Sequence, residues 1–423
     1  MKEEFLHYVW KNKLYDPLRL RTTNQDPICV INSGLYNQNA GPDFLNSKID
    51  IADQIWFGNV EIHIKSSDWY SHHHEVDENY DAVILHVVWE HDNDVYMKNN
   101  LPIATVELKQ YVDPKLVEKY HGLSLQSLRW IPCEKEINTT DSFLLNNWLE
   151  RLFIERLERK STLIEELLDE SNNDWERVLF CMLAKNFGLK VNGDAFFSFA
   201  KSIPYAIVRK EQHDFDRLSA LFFGQARFLS ERIEDAYHAH LKKEYEFLSE
   251  KYQLDEVIKN QFLFFRMRPS NFPTIRIAQL VALYHKHKNI FSELMKIKSI
   301  EEFYALFVID VGDFWETHYN FTKESKRRKK GFTKSFLDLL FINTVIPLQF
   351  SYQRATNELD EEQLFKMMNK LKPEKNNIVS KFSDLKIEAK SAFESQALLE
   401  LKNNYCAAKR CLECAIGNQL LRN

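Results

Sequence analysis

The chain has 423 residues, of which 44% are hydrophobic and 28% charged, with a formal net charge of −5. A chain of this size can bury a large core and form about two to three domains. Only 10 residues are glycine, and the sequence contains no GxGxxG, GxxxxGK[ST] or GxSxG motif, which argues against Rossmann, P-loop, β-propeller and serine-hydrolase folds.

The distribution of charge is more informative than its sum. Residues 1–125 hold 11 Lys and Arg against 19 Asp and Glu, so this part is better suited to cations than to nucleic acid. An anionic partner would be held mainly by residues 126–423. No stretch approaches the ~20 apolar residues of a membrane helix, and the start of the chain lacks the plan of a signal peptide. We therefore expect a cytoplasmic protein with no membrane partner.

The first part of the chain reads as a small mixed sheet with flanking helices. A helical stripe is predicted over residues 3–14, followed by a loop over 32–44 that is rich in Asn and Gly. The alternation of polar and apolar residues, or a continuous apolar run, then predicts strands at 48–51, 55–65, 82–89 and 101–108.

After about residue 140 the apolar period changes from 2 to 3.6, and the rest of the chain is predicted to be helical. The predicted helices cover residues 142–169, 174–188, 192–202, 215–230, 233–252, 254–265, 274–288, 334–350, 360–371 and 391–419. The predicted fold class is α+β, with an α/β domain over 1–125 and a helical domain over 126–423.

One group of candidate catalytic residues lies on two predicted neighbouring strands. Asp43 follows Pro42 just before a hairpin, and Glu61, His63 and Lys65 alternate along its second strand, so these three share a face. An Asp and a Glu on adjacent strands can share one Mg²⁺, while a nearby basic group orients water or steadies developing charge. We predict Asp43 and Glu61 as metal ligands and His63 and Lys65 as catalytic residues. The structural alternative is an ordinary half-exposed strand face.

This pattern resembles the PD-(D/E)XK nuclease superfamily over roughly residues 1–110. The resemblance implies that Asp43 and Glu61 bind metal and that Glu3 or Glu4 contributes an upstream acid. The superfamily's lysine position is occupied here by His63. Either Lys65 replaces that lysine, or His63 itself binds metal.

Histidines are concentrated in the same region. Six of the 14 fall within 29 residues, namely His63, His72, His73, His74, His86 and His91. A zinc or iron site made of His63, His72 or His74, and Asp68 is one hypothesis, since neutral imidazole is a common ligand of transition metals. The alternative is a surface turn at 72–74 and a hydrogen-bonded core histidine at 86.

Three of the six cysteines lie close together near the C-terminus, at Cys406, Cys411 and Cys414. In a cytoplasmic chain such a group favours metal binding or redox chemistry over disulfides. With Cys133 as the fourth ligand, it predicts zinc or an iron–sulfur cluster, whereas Cys181 is predicted to lie in the core. Some PD-(D/E)XK nucleases carry a cluster on one distant and three C-terminal cysteines, a pattern similar in number but not in spacing. Half-buried helical neighbours are the alternative.

An arginine-rich segment is the candidate nucleic-acid contact. Arg266, Arg268 and Arg276 surround a predicted helix start at Pro273, where arginine side chains and free backbone N–H groups can bind an anion. The basic run over 326–330 could also contact phosphates. The alternatives are an ion-pair network between helices for the arginines and a solvated loop for the run.

The chain as a whole resembles a family of bacterial proteins described only as a domain of unknown function. The residues that carry this resemblance are Gly41–Phe44, Gly58–His63, Ser67–Trp69, Leu85–Val88, Arg266–Gln279, Asn343–Pro347, Cys411, Cys414, Ile416 and Gly417. It implies no activity.

These observations favour a metal-dependent nuclease or nucleic-acid-processing protein. The alternative is a non-catalytic helical interaction protein with a structural metal site and a protein partner, and a third hypothesis is a histidine-based metalloenzyme that acts on a small molecule. Nuclease chemistry requires the Asp43 and Glu61 carboxylates within about 4–6 Å of each other. The metalloenzyme requires His63 and a second histidine around one point.

Overall fold

The computed structural model describes residues 1–37, 40–124, 129–255 and 262–422. The predicted α+β class is confirmed, because a sheet near the N-terminus precedes a large helical region. In the described part of that helical region, strand is confined to one short hairpin, His318–Asn320 with Lys323–Glu324. No helix among the described residues is long and apolar enough to cross a membrane.

The chain divides into two compact units. Unit 1 contains residues 1–149, 381–387 and 399–423, and unit 2 contains residues 150–380 and 388–398. This division differs from the predicted boundary at 125/126, since the cysteine-rich C-terminal segment belongs to the same unit as the sheet.

The strands of the main sheet are β1 Ile28–Asn32, β2 Leu35–Tyr36, β3 Phe44–Ile51, β4 Gln54–Lys65, β5 Val83–Glu90 and β6 Thr105–Glu107. Their order is β1-β3-β4-β5-β6, and β2 also pairs with β3. β3 and β4 form the predicted antiparallel hairpin, while β4, β5 and β6 run parallel. The chain therefore crosses from β4 to β5 through residues 66–82, and this crossover contains three of the clustered histidines.

Helix α1 (Glu3–Lys11) packs against β4. Its buried residues are Phe5, Leu6, Tyr8, Val9 and Trp10. Acidic residues in its first turn and Lys11 in its last turn complement the helix dipole. Packing of this apolar stripe fixes the polar residues of α1 beside the middle of the sheet.

The remaining helices, in chain order, are α2 Asp68–Ser71, α3 Pro114–Ser124, α4 Ser142–Glu170, α5 Trp175–Phe187, α6 Leu189–Lys201, α7 Tyr205–Glu211, α8 Phe215–Gln225, α9 Ala236–Tyr252, α10 Pro273–Lys286, α11 Ile290–Lys296, α12 Ile300–Leu306, α13 Asp313–Thr317, α14 Lys334–Leu340, α15 Ile346–Ala355, α16 Glu361–Lys370, α17 Asn377–Asp384, α18 Ala392–Glu400 and α19 Ala415–Arg422. Unit 2 is built around aromatic side chains. Phe180 contacts Phe199, Phe222 and Tyr284 with ring centroids 5.2–6.2 Å apart.

Two helix predictions need correction. Of the helix predicted over 254–265, residues 256–261 lie outside the described residues, and the described remainder is not helical. The helix predicted over 391–419 is interrupted, because α18 continues into a π-helical segment, Leu401–Cys406, and then a turn precedes α19. A second π-helical segment, Phe341–Val345, joins α14 to α15. Such segments occur frequently at functional sites.

Lys160 on α4 is half-buried in unit 2, and its Nζ donates to Asn343 Oδ1 at 2.9 Å. Burial, with the positive charges of Arg156, Arg159 and Lys185, lowers the pKa of Lys160 to about 7. The unfolded chain holds this proton up to about 10.5, so stability should rise with pH between about 7 and 10.5.

We expect this group to add about 2 kcal/mol to the free energy of unfolding between about pH 7 and 9. Lys160→Met should remove that increment. Denaturant unfolding of both proteins at several pH values measures it, and parallel pH profiles would contradict the assignment.

Candidate functional site

The two predicted metal-binding carboxylates of unit 1 lie side by side and hold each other in place. Asp43 immediately precedes β3, and its backbone N–H donates to Glu61 Oε2 at 3.1 Å. In return, the backbone N–H of Ile62 donates to Asp43 Oδ2 at 3.0 Å. This exchange fixes both carboxyl groups, and it leaves Glu61 Oε1 available to a neighbour.

Two imidazoles lie beside that oxygen, and a third imidazole lies beside them. One ring nitrogen each of His63, His72 and His74 lies within 4.8 Å of the others. Glu61 Oε1 lies 3.5 Å from Nε2 of His63 and 3.3 Å from Nε2 of His74. His63 Nε2 is also 3.0 Å from His72 Nδ1. We call His63, His72, His74 and Glu61 the histidine centre.

The crossover presents its histidines because it has a small core of its own. Trp69 on α2 and Tyr80 are buried together with Val83 and neighbouring apolar residues. The Tyr80 ring stacks on His74 with centroids 3.7 Å apart, and Trp69 packs edge-on against the same imidazole at 5.4 Å. Aromatic packing therefore fixes His74 of the crossover beside Glu61 of β4. His72 remains exposed to solvent.

His86 supports the centre from the neighbouring strand β5. As predicted, it is a buried, hydrogen-bonded histidine, with Nε2 lying 2.8 Å from Nδ1 of His63. Glu61 pairs with His86 in the β4–β5 register, and His63 lies two residues after Glu61 on the same face of β4. His63 and His86 therefore lie on one face of the sheet. A hydrogen bond at Nδ1 directs the Nε2 atom of His63 toward the centre, as outer-shell partners of metal-binding histidines do.

Burial controls the protonation of these groups. It raises the pKa of Glu61, and the Asp43 charge raises it further. Burial also lowers the pKa of His63 to about 2 and that of His86 to about 3, with the surrounding imidazoles adding to both effects. His63 and His86 are therefore neutral at physiological pH, and neutral imidazole is the state in which histidine binds metal.

The donor set favours one kind of cation. Three imidazole nitrogens and one carboxylate oxygen match zinc, manganese, iron or a related transition metal. Mg²⁺ prefers six oxygen ligands in an octahedral arrangement. Glu61 adds one carboxylate oxygen to the three imidazoles, and this set of atoms suits a transition metal better than the predicted Mg²⁺.

Two residues named from the sequence lie away from the centre. Lys65 is exposed at the end of β4, and its Nζ lies 4.0 Å from Asp92 Oδ2. Asp68 accepts a hydrogen bond from the Lys65 backbone N–H at 2.9 Å and so caps the turn into α2. Neither belongs to the group of converging ligand atoms.

His7 is a functional candidate that the sequence did not indicate. Its Nε2 lies 3.2 Å from Asp43 Oδ2, and its Nδ1 lies 3.3 Å from the Tyr36 hydroxyl. Glu3 stands one helical turn earlier, and partial burial raises the pKa of its carboxyl group. The spacing of Glu3 and His7, four residues apart on a helix, is the signal that could have identified this face.

The four predicted cysteines of unit 1 line one cavity, together with Pro132, Ile137, Tyr405, Ile416 and Gly417 among others. Cys406 ends the π-helical segment, and Cys411 and Cys414 occupy the turn before α19. A Cβ atom on Gly417 would come within 2.2 Å of the Cys411 carbonyl oxygen. Only glycine at position 417 allows this close approach of the turn to α19.

The cysteine sulfurs are electrostatic neighbours. Burial, together with the neighbouring Cys414 and Cys411, raises the pKa of Cys133 to about 12. The pKa of Cys406 is raised by burial and then by the other three cysteines. At Cys414, hydrogen bonds from the backbone N–H groups of Gly417 and Ile416 partly offset burial, as expected for a sulfur at a helix N-terminus.

The spacing of these sulfurs bears on the kind of metal. Four thiolates on one zinc lie about 4 Å apart. Among the described residues, only the histidine group brings three or more potential ligand atoms within 4.8 Å of one another. No three of the described cysteine sulfurs therefore lie that close together. As predicted, Cys181 lies in the core, buried within α5.

The arginines predicted to share one cleft are separated in unit 2. Arg276 is buried on α10 and lines a cavity, whereas Arg266 and Arg268 are exposed and are not among the lining residues of that cavity. The guanidinium group of Arg266 stacks on Phe265 at 5.1 Å. Of the three predicted arginines, Arg276 therefore lines this cavity, and the shared cleft stays a prediction.

Comparison with known proteins identifies the family. A family model described as "Protein of unknown function (DUF2851)" matches residues 3–377, and the chain belongs to this family. Neither the curated proteins nor the solved structures contain a significant match.

Proposed function

We propose that this protein is a metal-dependent nuclease that hydrolyses phosphodiester bonds at the histidine centre and the adjoining Asp43. The observation that carries the proposal is the convergence of His63, His72 and His74, with Glu61 in contact with two of these histidines and beside Asp43. The order of elements also supports it, with an acidic helix, an Asp before a hairpin strand, and Glu-x-His on the next strand, as in the superfamily that the sequence resembles.

Each side chain then has a role that follows from its position. His63, His72, His74 and Glu61 would hold the cation, which would supply Lewis-acid chemistry for phosphodiester hydrolysis. His7, beside Asp43, is placed to move a proton, because a neighbouring carboxylate orients an imidazole. The exposed edge of His72 leaves the centre open to a substrate from one side.

Binding of a transition metal is the first test. We expect titration calorimetry with Mn²⁺ or Zn²⁺ to detect a site that His72→Ala weakens by about 10²-fold, since a ligand is lost. His73→Asn is a matched control, because His73 lies between two ligands, is exposed and falls outside the group. Its φ of 61° lies in the left-handed region, which asparagine tolerates.

Cleavage of single-stranded and duplex DNA and RNA, with the same cations added, tests the activity. We expect Mn²⁺ or another transition metal to support cleavage better than Mg²⁺. Cation binding that is equal in wild type, His72→Ala and His73→Asn would contradict the site, and binding without cleavage of any of these substrates would contradict the nuclease.

We further propose that Cys133, Cys406, Cys411 and Cys414 hold an iron–sulfur cluster. The support is their shared cavity, their mutual electrostatic influence and a sulfur spacing wider than a single zinc requires. Iron and acid-labile sulfide measured on anaerobically purified protein test this assignment. Zinc without sulfide would overturn it.

A further inference from the structure

A cavity of about 400 Å³ opens in unit 2 at the start of α10. Four of its lining residues are basic, namely Arg276, Arg328, Lys329 and Lys330, and none of its lining residues is Asp or Glu. Ser270 and Thr333 add hydroxyl groups to the lining. This wall chemistry is that of an anion site, since it supplies positive charge and hydrogen-bond donors without a competing carboxylate.

Arg276 is the central feature of this cavity. It is only 4% exposed, and its guanidinium lies 3.5 Å above the Phe336 ring. Nη1 donates to Gln279 Oε1 and Nη2 to Asn271 Oδ1, each at 2.8 Å. These partners are neutral amides, so they fix the orientation of the fork without neutralising its charge.

The charge of Arg276 is otherwise uncompensated. Among the described residues, no carboxylate lies within 4.0 Å of its guanidinium, and its buried Nε has no hydrogen-bond partner. Burial of an arginine without a counter-ion is costly, and it is normally accompanied by an acid or a bound anion. The nearby Arg327 shows the contrast, because it pairs with Asp313 and Glu316.

The segment that carries the other basic residues is fastened to α10. Gln279 Nε2 donates to the carbonyl oxygens of Lys330 and Gly331, at 2.8 and 3.2 Å. Lys330 itself is buried, and its Nζ donates to the carbonyl oxygen of His318 at 2.6 Å. Arg328 and Lys329 remain exposed at the cavity. The lining of the cavity is therefore preorganised. Two exposed cationic side chains, Arg328 and Lys329, lie at its opening, and the guanidinium of Arg276 is fixed inside.

The start of α10 contributes to the same wall. Pro273 occupies its first turn, and the N-cap residue Phe272 supplies no side-chain hydrogen bond to the helix. The positive end of a 14-residue helix thus adds to the charge of Arg276.

We propose that this cavity binds a phosphate group through Arg276, Arg328 and Lys329. A phosphate matches the planar fork of arginine and tolerates several cations around it. Two sources share this chemistry, the backbone of a nucleic acid and a small phosphorylated molecule. The inference does not rest on the proposed nuclease, because binding at this cavity needs neither the histidine centre nor a divalent cation.

Calorimetric titration of the full chain with inorganic phosphate and pyrophosphate, in chelator and at low ionic strength, tests the proposal. We expect saturable binding that Arg276→Gln and the double variant Arg328→Ala/Lys329→Ala each weaken about tenfold or more. Lys326→Ala is the matched control, since Lys326 is an exposed cation of the same run that does not line the cavity. Thermal unfolding checks that Arg276→Gln folds. If this variant does not fold, phosphate binding by the double variant Arg328→Ala/Lys329→Ala, whose changes are at exposed residues, tests the site.

Oligonucleotide binding in the same buffer separates the two sources. If pyrophosphate displaces a single-stranded or duplex oligonucleotide, and the cavity variants lose that binding with a shallower salt dependence, the ligand is a nucleic-acid phosphate. If the variants lose phosphate but not oligonucleotide binding, the ligand is a small phosphorylated molecule. Absence of saturable phosphate binding, or binding unchanged in the double variant, would overturn the proposal.

Discussion

Glu61→Gln is expected to lower divalent-cation-dependent cleavage by about 10²–10³-fold while leaving the fold intact. Glu61 Oε1 is the oxygen nearest the imidazoles of His63 and His74, so its charge contributes directly to holding a cation. Glutamine keeps the volume of the side chain and an oxygen that can accept the Asp43 backbone N–H, but it removes the ligand charge.

The burial of the Glu61 carboxyl group also determines how stable the Glu61→Gln variant is expected to be. Since burial and then the Asp43 charge raise the pKa of Glu61, the carboxyl group in the cation-free protein is largely protonated and resembles an amide. The melting temperature without cation should therefore stay within about 4 °C of wild type. With Mn²⁺ or Zn²⁺ added, wild type should gain more thermal stability than the variant, because a bound ligand stabilises the folded state.

Asp43→Asn tests the second carboxylate. Asparagine can still accept from the Ile62 backbone N–H, but it loses the charge beside His7. We expect cleavage to fall with little change in cation affinity, since Asp43 Oδ2 is already engaged by the Ile62 backbone N–H and by His7. Glu78→Gln is the control, because its side chain is 85% exposed and lies outside the group. If both active-site variants cleave at the wild-type rate, catalysis at this site is excluded.

Local periodicity was sufficient to predict the scaffold of this site. Alternation along 55–65 predicted β4 and, with it, the shared face of Glu61 and His63, while the continuous apolar run predicted β5. The adjacency of Asp43 and Glu61 follows from the hairpin that joins their strands. These features depend on residues close in sequence, where period and turn chemistry determine the outcome.

The histidine centre could not be predicted in full, because it depends on how a crossover packs. His72 and His74 lie close to His63 because Trp69 and Tyr80 pack residues 66–82 against the sheet. His7 comes near Asp43 through the docking of a helix. The break before α19 likewise had no local signal, as the apolar spacing of residues 391–419 is that of one helix. Long-range packing overrides local preference at each of these places.

Gly417→Ala should remove the proposed cluster without removing a single thiol. The added Cβ would meet the Cys411 carbonyl oxygen at 2.2 Å, and backbone cannot yield as a flexible side chain can. The turn that presents Cys411 and Cys414 must then shift, and metal sites lose about 10–100-fold in affinity when their supporting groups are disturbed. We expect iron and sulfide per chain to fall in Gly417→Ala, and to be nearly absent in Cys411→Ser.

Cys29→Ser is the matched control for these variants, since Cys29 is an exposed free cysteine on β1 and does not line the cavity. It should retain the iron, the sulfide and the visible absorption of wild type. Reconstitution with ferrous iron and sulfide distinguishes loss of the site from loss of metal during purification. Because buried thiols that lack a metal stay protonated, the cluster-free variants should also resist alkylation near neutral pH. Equal iron in wild type, Cys411→Ser and Gly417→Ala would show that the cysteines pack as neutral core residues and bind no cluster.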